Sequence, residues 1–166
     1  SPRLIPQMAD TREVISGIDI SNSATRLLVI VANARGAGDA SEFKAIRYLG
    51  FPFSVSPTFQ QRNTNSSPEE SLQRVKEINA ICKSAGKELV VYMSMGFGNP
   101  YGDLYDMEIL SSWTERIASL GVDIISLADT VGIATPVQVS EVVSHIIPLF
   151  PINHPVFTFL KLTVVK

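Results

Sequence analysis

Short, unbroken apolar runs recur along this chain at Leu27 to Ala32, Phe51 to Ser56, Leu89 to Met95 and Ile124 to Leu127. Each is too short for a helix and none alternates between apolar and polar residues, so each reads as a strand buried on both faces. Such strands need a covering layer on either side. The intervening segments Asp39 to Tyr48, Pro68 to Ala85, Asp106 to Leu120 and Pro136 to Leu149 have helical spacing and supply it. Strand alternating with helix implies an α/β fold with a parallel sheet, either closed into a barrel or left open between helical layers. Periodicity does not choose between the two.

The helix starts are written into the sequence. Ser67 precedes a proline at the first helical position, and Glu69 and Glu70 place carboxylates in the first turn, where the helix dipole favours them. Gly86 closes that helix, and Leu72, Val75, Ile78, Asn79 and Cys82 form the stripe expected to face the sheet. Thr135-Pro136 opens the last helix in the same way, with Val139, Val142, Val143 and Ile146 as its stripe. Further strands are expected at Arg3 to Pro6 and Val156 to Val164. No Gly-x-Gly-x-x-Gly follows a strand: Gly36-Ala37-Gly38 and Gly96-Phe97-Gly98 lack the third glycine of a dinucleotide turn.

Composition narrows the function. With 45% hydrophobic and 18% charged residues in 166, the chain has material for one buried core. Its 14 basic and 16 acidic side chains leave a net charge of -2, so no overall basic field gathers a nucleic acid or an anionic membrane surface. No apolar run approaches the ~20 residues of a membrane span, and Ser1 to Pro6 has no continuous apolar stretch of the signal-peptide kind. A small-molecule site is the expectation. A lone cysteine, Cys82, excludes an internal disulfide and suits a reducing compartment, the cytoplasm or a mitochondrial matrix. On the stripe of its helix it reads as a small buried hydrophobe, and Met93 and Met95 read as core.

In parallel α/β folds the reactive groups gather on the loops after the carboxyl ends of the strands. Here those ends carry Asn33 to Gly36; Ser54 to Ser56, followed by Gln60 to Asn65; Tyr92 to Ser94, followed by Asn99-Pro100-Tyr101; and Ser126 to Gly132. Turn chemistry accounts equally well for most of them, since Asn33 and Gly36 make a turn and Asn63 to Ser67 a capped loop. Asp129 differs, because a carboxylate after an apolar strand needs a cation, a hydroxyl or an imidazole nearby; a buried N-cap is its structural alternative. His145, within a helix, and His154, in a loop, do not form a metal-binding pair.

Four segments carry a resemblance: Ile5-Pro6-Gln7-Met8-Ala9-Asp10; Asn63-Thr64-Asn65 running into Ser66-Ser67-Pro68-Glu69-Glu70-Ser71; Tyr92-Met93-Ser94 with Gly98-Asn99-Pro100-Tyr101-Gly102; and Ile125-Ser126-Leu127-Ala128-Asp129-Thr130-Val131-Gly132. Together, in this order, they resemble the hydroxymethylglutaryl-CoA lyase family. The last segment is shared with related synthases and aldolases. The resemblance implies part of a (β/α)8 barrel over residues 1–151, with 152–166 a divergent tail. It implies metal-assisted retro-aldol cleavage of an acyl-CoA, 3-hydroxy-3-methylglutaryl-CoA, to acetyl-CoA and acetoacetate. Asp129 would be the catalytic aspartate, which orients a histidine. Asn33, Ser56, Asn63, Tyr92, Ser126 and Thr130 would line the substrate. The family uses a Mg or Mn ion. Its Arg-Asp pair and strand glutamate would precede Ser1, and its His-x-His pair would follow Pro151, where this chain reads His154-Pro155-Val156. Pro57 stands where many of the family have glutamate. No metal ligand is assigned to this chain, so it is expected not to bind the ion and to be inactive alone. Self-association or docking to a complementary barrel fragment is expected from its open sheet edges. The alternatives are a synthase or aldolase of the same superfamily, or a noncatalytic partial barrel that binds or assembles.

Overall fold

The structure, a computed structural model, describes residue 6, residues 9–149 and residues 160–161. Its elements run α1 (Thr11–Gly17), β1 (Leu27–Ile30), α2 (Ala34–Ser41), β2 (Ile46–Ser54), α3 (Pro57–Thr64), α4 (Pro68–Ser84), β3 (Glu88–Ser94), α5 (Met107–Ala118), β4 (Ile124–Asp129), α6 (Pro136–Ile146), a 3-10 turn (Ile147–Leu149) and β5 (Leu160–Lys161). Strand order in the sheet follows chain order from β1 to β5, and every pairing is parallel. The expected strand–helix alternation is therefore present, and the fold is α/β.

The sheet has two unlike faces because strand side chains alternate. On one, Leu49, Phe51 and Phe53 of β2 and Leu89, Val91 and Met93 of β3 are fully buried. Helix α4 packs against both strands and turns Val75, Ile78, Asn79 and Cys82 inward, as its stripe predicts. Its start is a complete capping box: Ser67 accepts from Glu70 N while the Glu70 carboxylate accepts from Ser67 N, which satisfies two otherwise orphan amides. From α5, Trp113 meets Phe53 with ring centroids 5.1 Å apart.

The opposite face is the one a closed barrel turns inward. Registers place Ile30, Gly50, Val90 and Ile124 in one row and Pro52, Tyr92 and Ser126 in the row towards the carboxyl ends. Gly50 is required here: a Cβ on it would stand 2.7 Å from Ile30 Cδ1 and 3.0 Å from Tyr92 Cε2. Its missing side chain makes the space those two occupy.

Several expectations are corrected. The helix expected over 39–48 lies instead at Ala34–Ser41, where Asn33 supplies the N-cap, and Ile46 to Tyr48 belong to β2. Gly36 and Gly38, poor helix formers, disguised the true start. Residues 60–65, read as a polar loop, mostly form α3, because Ser56 and Pro57 make a cap and first turn that start a helix from a polar segment. The first strand is not buried on both faces: Leu28 is 37% and Ile30 60% exposed, since β1 has a neighbour in the described sheet only on the β2 side. Helix α1 was not foreseen; it has no buried residue and hence no strong periodic signal. Of the strand expected at 3–6 only Pro6 is described, and it is not in a strand; most of that at 156–164 lies outside the described residues, and Leu160–Lys161 pairs with Ala128 and Asp129 of β4.

Candidate functional site

All the carboxyl ends of these parallel strands lie at one edge of the sheet, and the polar residues collect there. Tyr92 and Ser126 are register partners on adjacent strands, so their side chains stand side by side on the barrel-inward face. Tyr92 is half-buried beside Gly50, and burial raises its phenol above the ordinary tyrosine value. Ser126 is buried. Ser54 and Ser94 form the row beyond, the Ser54 hydroxyl donating to the Ser94 carbonyl at 3.3 Å.

The loop after β3 is held to the loop after β4. Thr130 Oγ1 accepts from Met95 N at 2.8 Å, Tyr105 donates its hydroxyl to the Gly96 carbonyl at 2.8 Å, and Gln138 Nε2 donates to the Phe97 carbonyl at 2.9 Å. Those bonds keep Met95, a buried non-glycine residue, at φ 59°, a left-handed conformation that costs energy and persists only when its surroundings enforce it. Burial, and secondarily the charge of Asp106, pushes the Tyr105 phenol up to about 12, so it remains a donor at neutral pH.

Asp129 ends β4 on the buried side, 2% exposed. One carboxylate oxygen accepts from Ile133 N at 3.0 Å and the other from Ala134 N at 3.1 Å, so the side chain ties down the turn that leads to Thr135 and α6. Ser56 is also occupied: its hydroxyl accepts from Phe59 N at 3.1 Å as the N-cap of α3 and donates to Asp103. Asn33 accepts from Gly36 N at 2.9 Å as the N-cap of α2, and Asn63 is an exposed residue on α3. The structure thus sets Tyr92 beside Ser126, ties Thr130 to the loop after β3, uses Ser56 and Asn33 as helix caps, and leaves Asn63 exposed.

The residue that sequence reasoning missed is Asp103. It accepts from Ser56 Oγ, from Thr58 Oγ1 at 2.7 Å and from Thr58 N at 3.0 Å, which fastens the 99–103 loop to the start of α3. Asn99 braces the loop from within: its Oδ1 accepts from Tyr101 N at 3.0 Å and Asp103 N at 3.1 Å, and its Nδ2 donates to the Asp103 carbonyl at 3.0 Å. Tyr101 stacks on Phe59 with centroids 6.2 Å apart, and the Arg62 guanidinium lies 5.0 Å from the centre of the same tyrosine ring. The Ser56 hydroxyl, then the donors of Thr58 and the charge of Arg62, hold the Asp103 carboxyl below its ordinary value. No local sequence pattern marks this residue, because Gly102-Asp103-Leu104 reads as an ordinary turn.

Metal ligation has a clear outcome among the described residues: no three His, Cys, Asp or Glu side chains converge on a point where they could hold an ion. His145 is exposed in the last turn of α6. Cys82 is fully shielded, and burial raises its thiol to about 11, so it is a core residue and not a thiolate ligand. The divalent ion implied by the resemblance does not fit the donors described.

The motifs of the mouth are matched by a family profile, HMGL-like, over residues 4–155. The chain belongs to the HMGL-like family. It is 33% identical over 152 residues to hydroxymethylglutaryl-CoA lyase of Bacillus subtilis, covering 92% of this chain and 50% of that protein. To the mitochondrial hydroxymethylglutaryl-CoA lyase of Bos taurus it is 32% identical over 155 residues, covering 92% of this chain and 46% of that one. Among solved structures, a Bacillus subtilis HMG-CoA lyase superposes with a TM-score of 0.84 at 31% identity, covering 96% of this chain and 52% of the other. An HMG-CoA lyase from Acinetobacter baumannii, solved in complex with coenzyme A and 3-methylmalate, superposes with a TM-score of 0.79 at 29% identity, over 96% of this chain and 50% of the other. This HMGL-like chain spans about half the length of the curated relatives it matches, and its sheet is part of a (β/α)8 barrel.

The Asp103 clamp makes a measurable contribution. Asp103→Ala leaves the Ser56 and Thr58 donors unpaired and is expected to lower unfolding stability by about 2–3 kcal/mol, the scale for hydrogen bonds to a charged group. Because the folded carboxyl titrates below its unfolded value, the contribution is present above the ordinary aspartate pKa of 3.8 and is lost as pH falls through the lowered folded one. Urea unfolding of both proteins across acid and neutral pH checks it: the two curves should converge on acidification.

Proposed function

We propose that this chain carries the substrate-facing part of a hydroxymethylglutaryl-CoA lyase-type carbon–carbon lyase, and that turnover needs strands beyond those described. What supports this reading is the register pairing of Tyr92 with Ser126 near the carboxyl ends of the strands, in a fold like that of a lyase solved with coenzyme A. The substrate class is an acyl-CoA, and the parent reaction is retro-aldol cleavage of 3-hydroxy-3-methylglutaryl-CoA to acetyl-CoA and acetoacetate.

In that reaction the tertiary hydroxyl loses its proton, the carbon–carbon bond breaks, and the departing acetyl-CoA enolate takes up a proton. Tyr92 and Ser126 bind and orient substrate oxygens from the inner face. Thr130 holds the loop after β3 in position beside them, and Asn33 and Asn63 flank the entrance. Ser56 acts through its cap, by placing the start of α3 and the Asp103 loop. Asp129 is the catalytic aspartate of the proposal, orienting a histidine that a completed barrel would contribute. Because the described residues lack a donor set for the Mg or Mn ion, no step is assigned to a metal on this chain. The proposal assigns residues 1–151 to the barrel part of the family and 152–166 to a divergent tail. Curated relatives include mitochondrial and cytoplasmic lyases, and a reducing compartment of either kind suits the lone buried Cys82.

A second reading, a noncatalytic partial barrel, is favoured by Asp129 itself. Both its oxygens are occupied by backbone amides, as in a purely structural cap.

Three measurements test this proposal, and the second separates it from the noncatalytic reading. The purified 166-residue chain should release no acetoacetate from 3-hydroxy-3-methylglutaryl-CoA with added Mg or Mn, because the chemistry lacks its positioned base and Lewis acid; metal-dependent release would overturn the proposal. In a chimera completed with the remaining strands of the Bacillus subtilis relative, turnover should appear, and Asp129→Asn should lower kcat about a hundredfold or more while the folded circular dichroism spectrum is kept. Equal kcat in the two chimeras would make Asp129 a cap. Finally, Leu28 and Ile30 lie exposed beside the open edge of β1, so the isolated chain is expected to self-associate as its concentration rises. Sedimentation over a concentration series reads this directly, and a monomer throughout would show the edge to be covered.

A further inference from the structure

At the amino ends of the strands, opposite the candidate site, a cleft of about 440 Å³ opens between the loop before β1, the turn after α2 and the turn after α4. Four basic residues are among those that line it: Arg26, Lys44, Arg47 and Lys87. Their partners are few. Arg47 pairs with Glu88 and donates to the Gly86 carbonyl at 3.3 Å; among the described residues Arg26 donates to the carbonyls of Ala24 and Thr25, each at 3.3 Å. Lys44 is exposed, with no ion pair among the described residues.

Lys87 is the unusual member. Only 8% exposed, it donates to the carbonyls of Phe43 at 2.8 Å and Ile46 at 2.7 Å, and no carboxylate pairs with it among the described residues. Two of its three N–H groups are accounted for, and the charge itself is not neutralised. Burial, reinforced by the like charge of Arg47, lowers its pKa, as expected for a buried cation without a counter-ion. A cation so placed is stabilised by an anion arriving in the cleft.

We propose that this cleft is a binding site for a small phosphomonoester, with Arg26, Lys44, Arg47 and Lys87 around the phosphate. Phosphate matches the donors: a guanidinium offers a planar fork to two of its oxygens and an ammonium a compact point charge. The half-buried Ile20 and Ala45 give an organic ester something to pack against that inorganic phosphate lacks. A nucleic-acid strand is a poor occupant, because the cations converge on one cleft and the chain carries a net charge of -2. The site lies at the other end of the strands from Tyr92 and Ser126, so it does not depend on the lyase reading.

The test uses the full 166-residue chain and amide chemical-shift mapping by NMR, titrated with glycerol 3-phosphate, inorganic phosphate and, at matched ionic strength, sodium chloride. Glycerol 3-phosphate should give saturable shifts centred on residues 41–47 and 85–88, with inorganic phosphate weaker and chloride without a saturable effect. Charge reversal at the exposed positions, Arg26→Glu with Lys44→Glu, should raise the Kd by roughly tenfold or more, whereas Lys76→Glu on the exposed side of α4 should leave it unchanged. Inorganic phosphate binding as tightly as the ester would refute the organic-ester assignment. Shifts scattered over other basic residues, equal effects of chloride, or unchanged affinity in the double variant would overturn the site altogether. Retained amide dispersion in the variants shows that the fold is intact, so each outcome is decisive.

Discussion

The rest of the molecule depends on the helix-facing side of β2 and β3. Parallel strands cannot be joined by tight turns, so each must be followed by a crossover that lands back on the sheet. In this chain the landing surface is Leu49, Phe51, Phe53, Leu89, Val91 and Met93, all without measurable exposure. Each large apolar side chain buried there contributes about 1.5–3 kcal/mol. That surface fixes where α4 sits, and α4 in turn sets the turn at Gly86 and the start of β3. The capping box of Ser67 and Glu70 sets where α4 starts, and hence which of its faces meets the strands.

Two ends of one sheet have acquired different chemistry from the same geometry. At the carboxyl ends, neutral hydroxyls and two carboxylates are almost fully engaged with backbone amides and with one another. Asp103 and Asp129 there order loops, and the positive φ of Met95 is held by Thr130. At the amino ends Arg26, Lys44, Arg47 and Lys87 gather, and Lys87 is buried against carbonyls with no carboxylate partner among the described residues. The first end is preorganised from within, while the second is left electrostatically incomplete.

The site was only partly readable beforehand. Asp129 was singled out because a carboxylate after an apolar strand must find partners, and it found the amides of Ile133 and Ala134. Ser56 and Asn33, which the family resemblance sets near substrate, each cap the helix that follows; a short polar side chain beside a strand end serves either purpose, and local pattern does not distinguish them. Asp103 escaped notice because its partners Ser56 and Thr58 lie more than forty residues away in the chain. Lys87 escaped for the same reason, since Phe43 and Ile46 are equally distant.

By itself, the sequence determined the alternation of β2, β3 and β4 with α4, α5 and α6, the caps of α4 and α6, the core positions of Cys82 and Met93, and the family resemblance. These follow from local rules: apolar run length, three-and-four spacing, and side chains that bond to amides a few residues away. Only the tertiary structure decided that Tyr92 stands beside Ser126, that Asp103 locks the mouth, that Gly50 clears space for Tyr92, and that four basic residues line one cleft at the amino ends of the strands. Parallel pairing brings together residues separated by a whole crossover, and the register that aligns them comes from packing of the helices on the sheet, which no stretch of sequence contains alone.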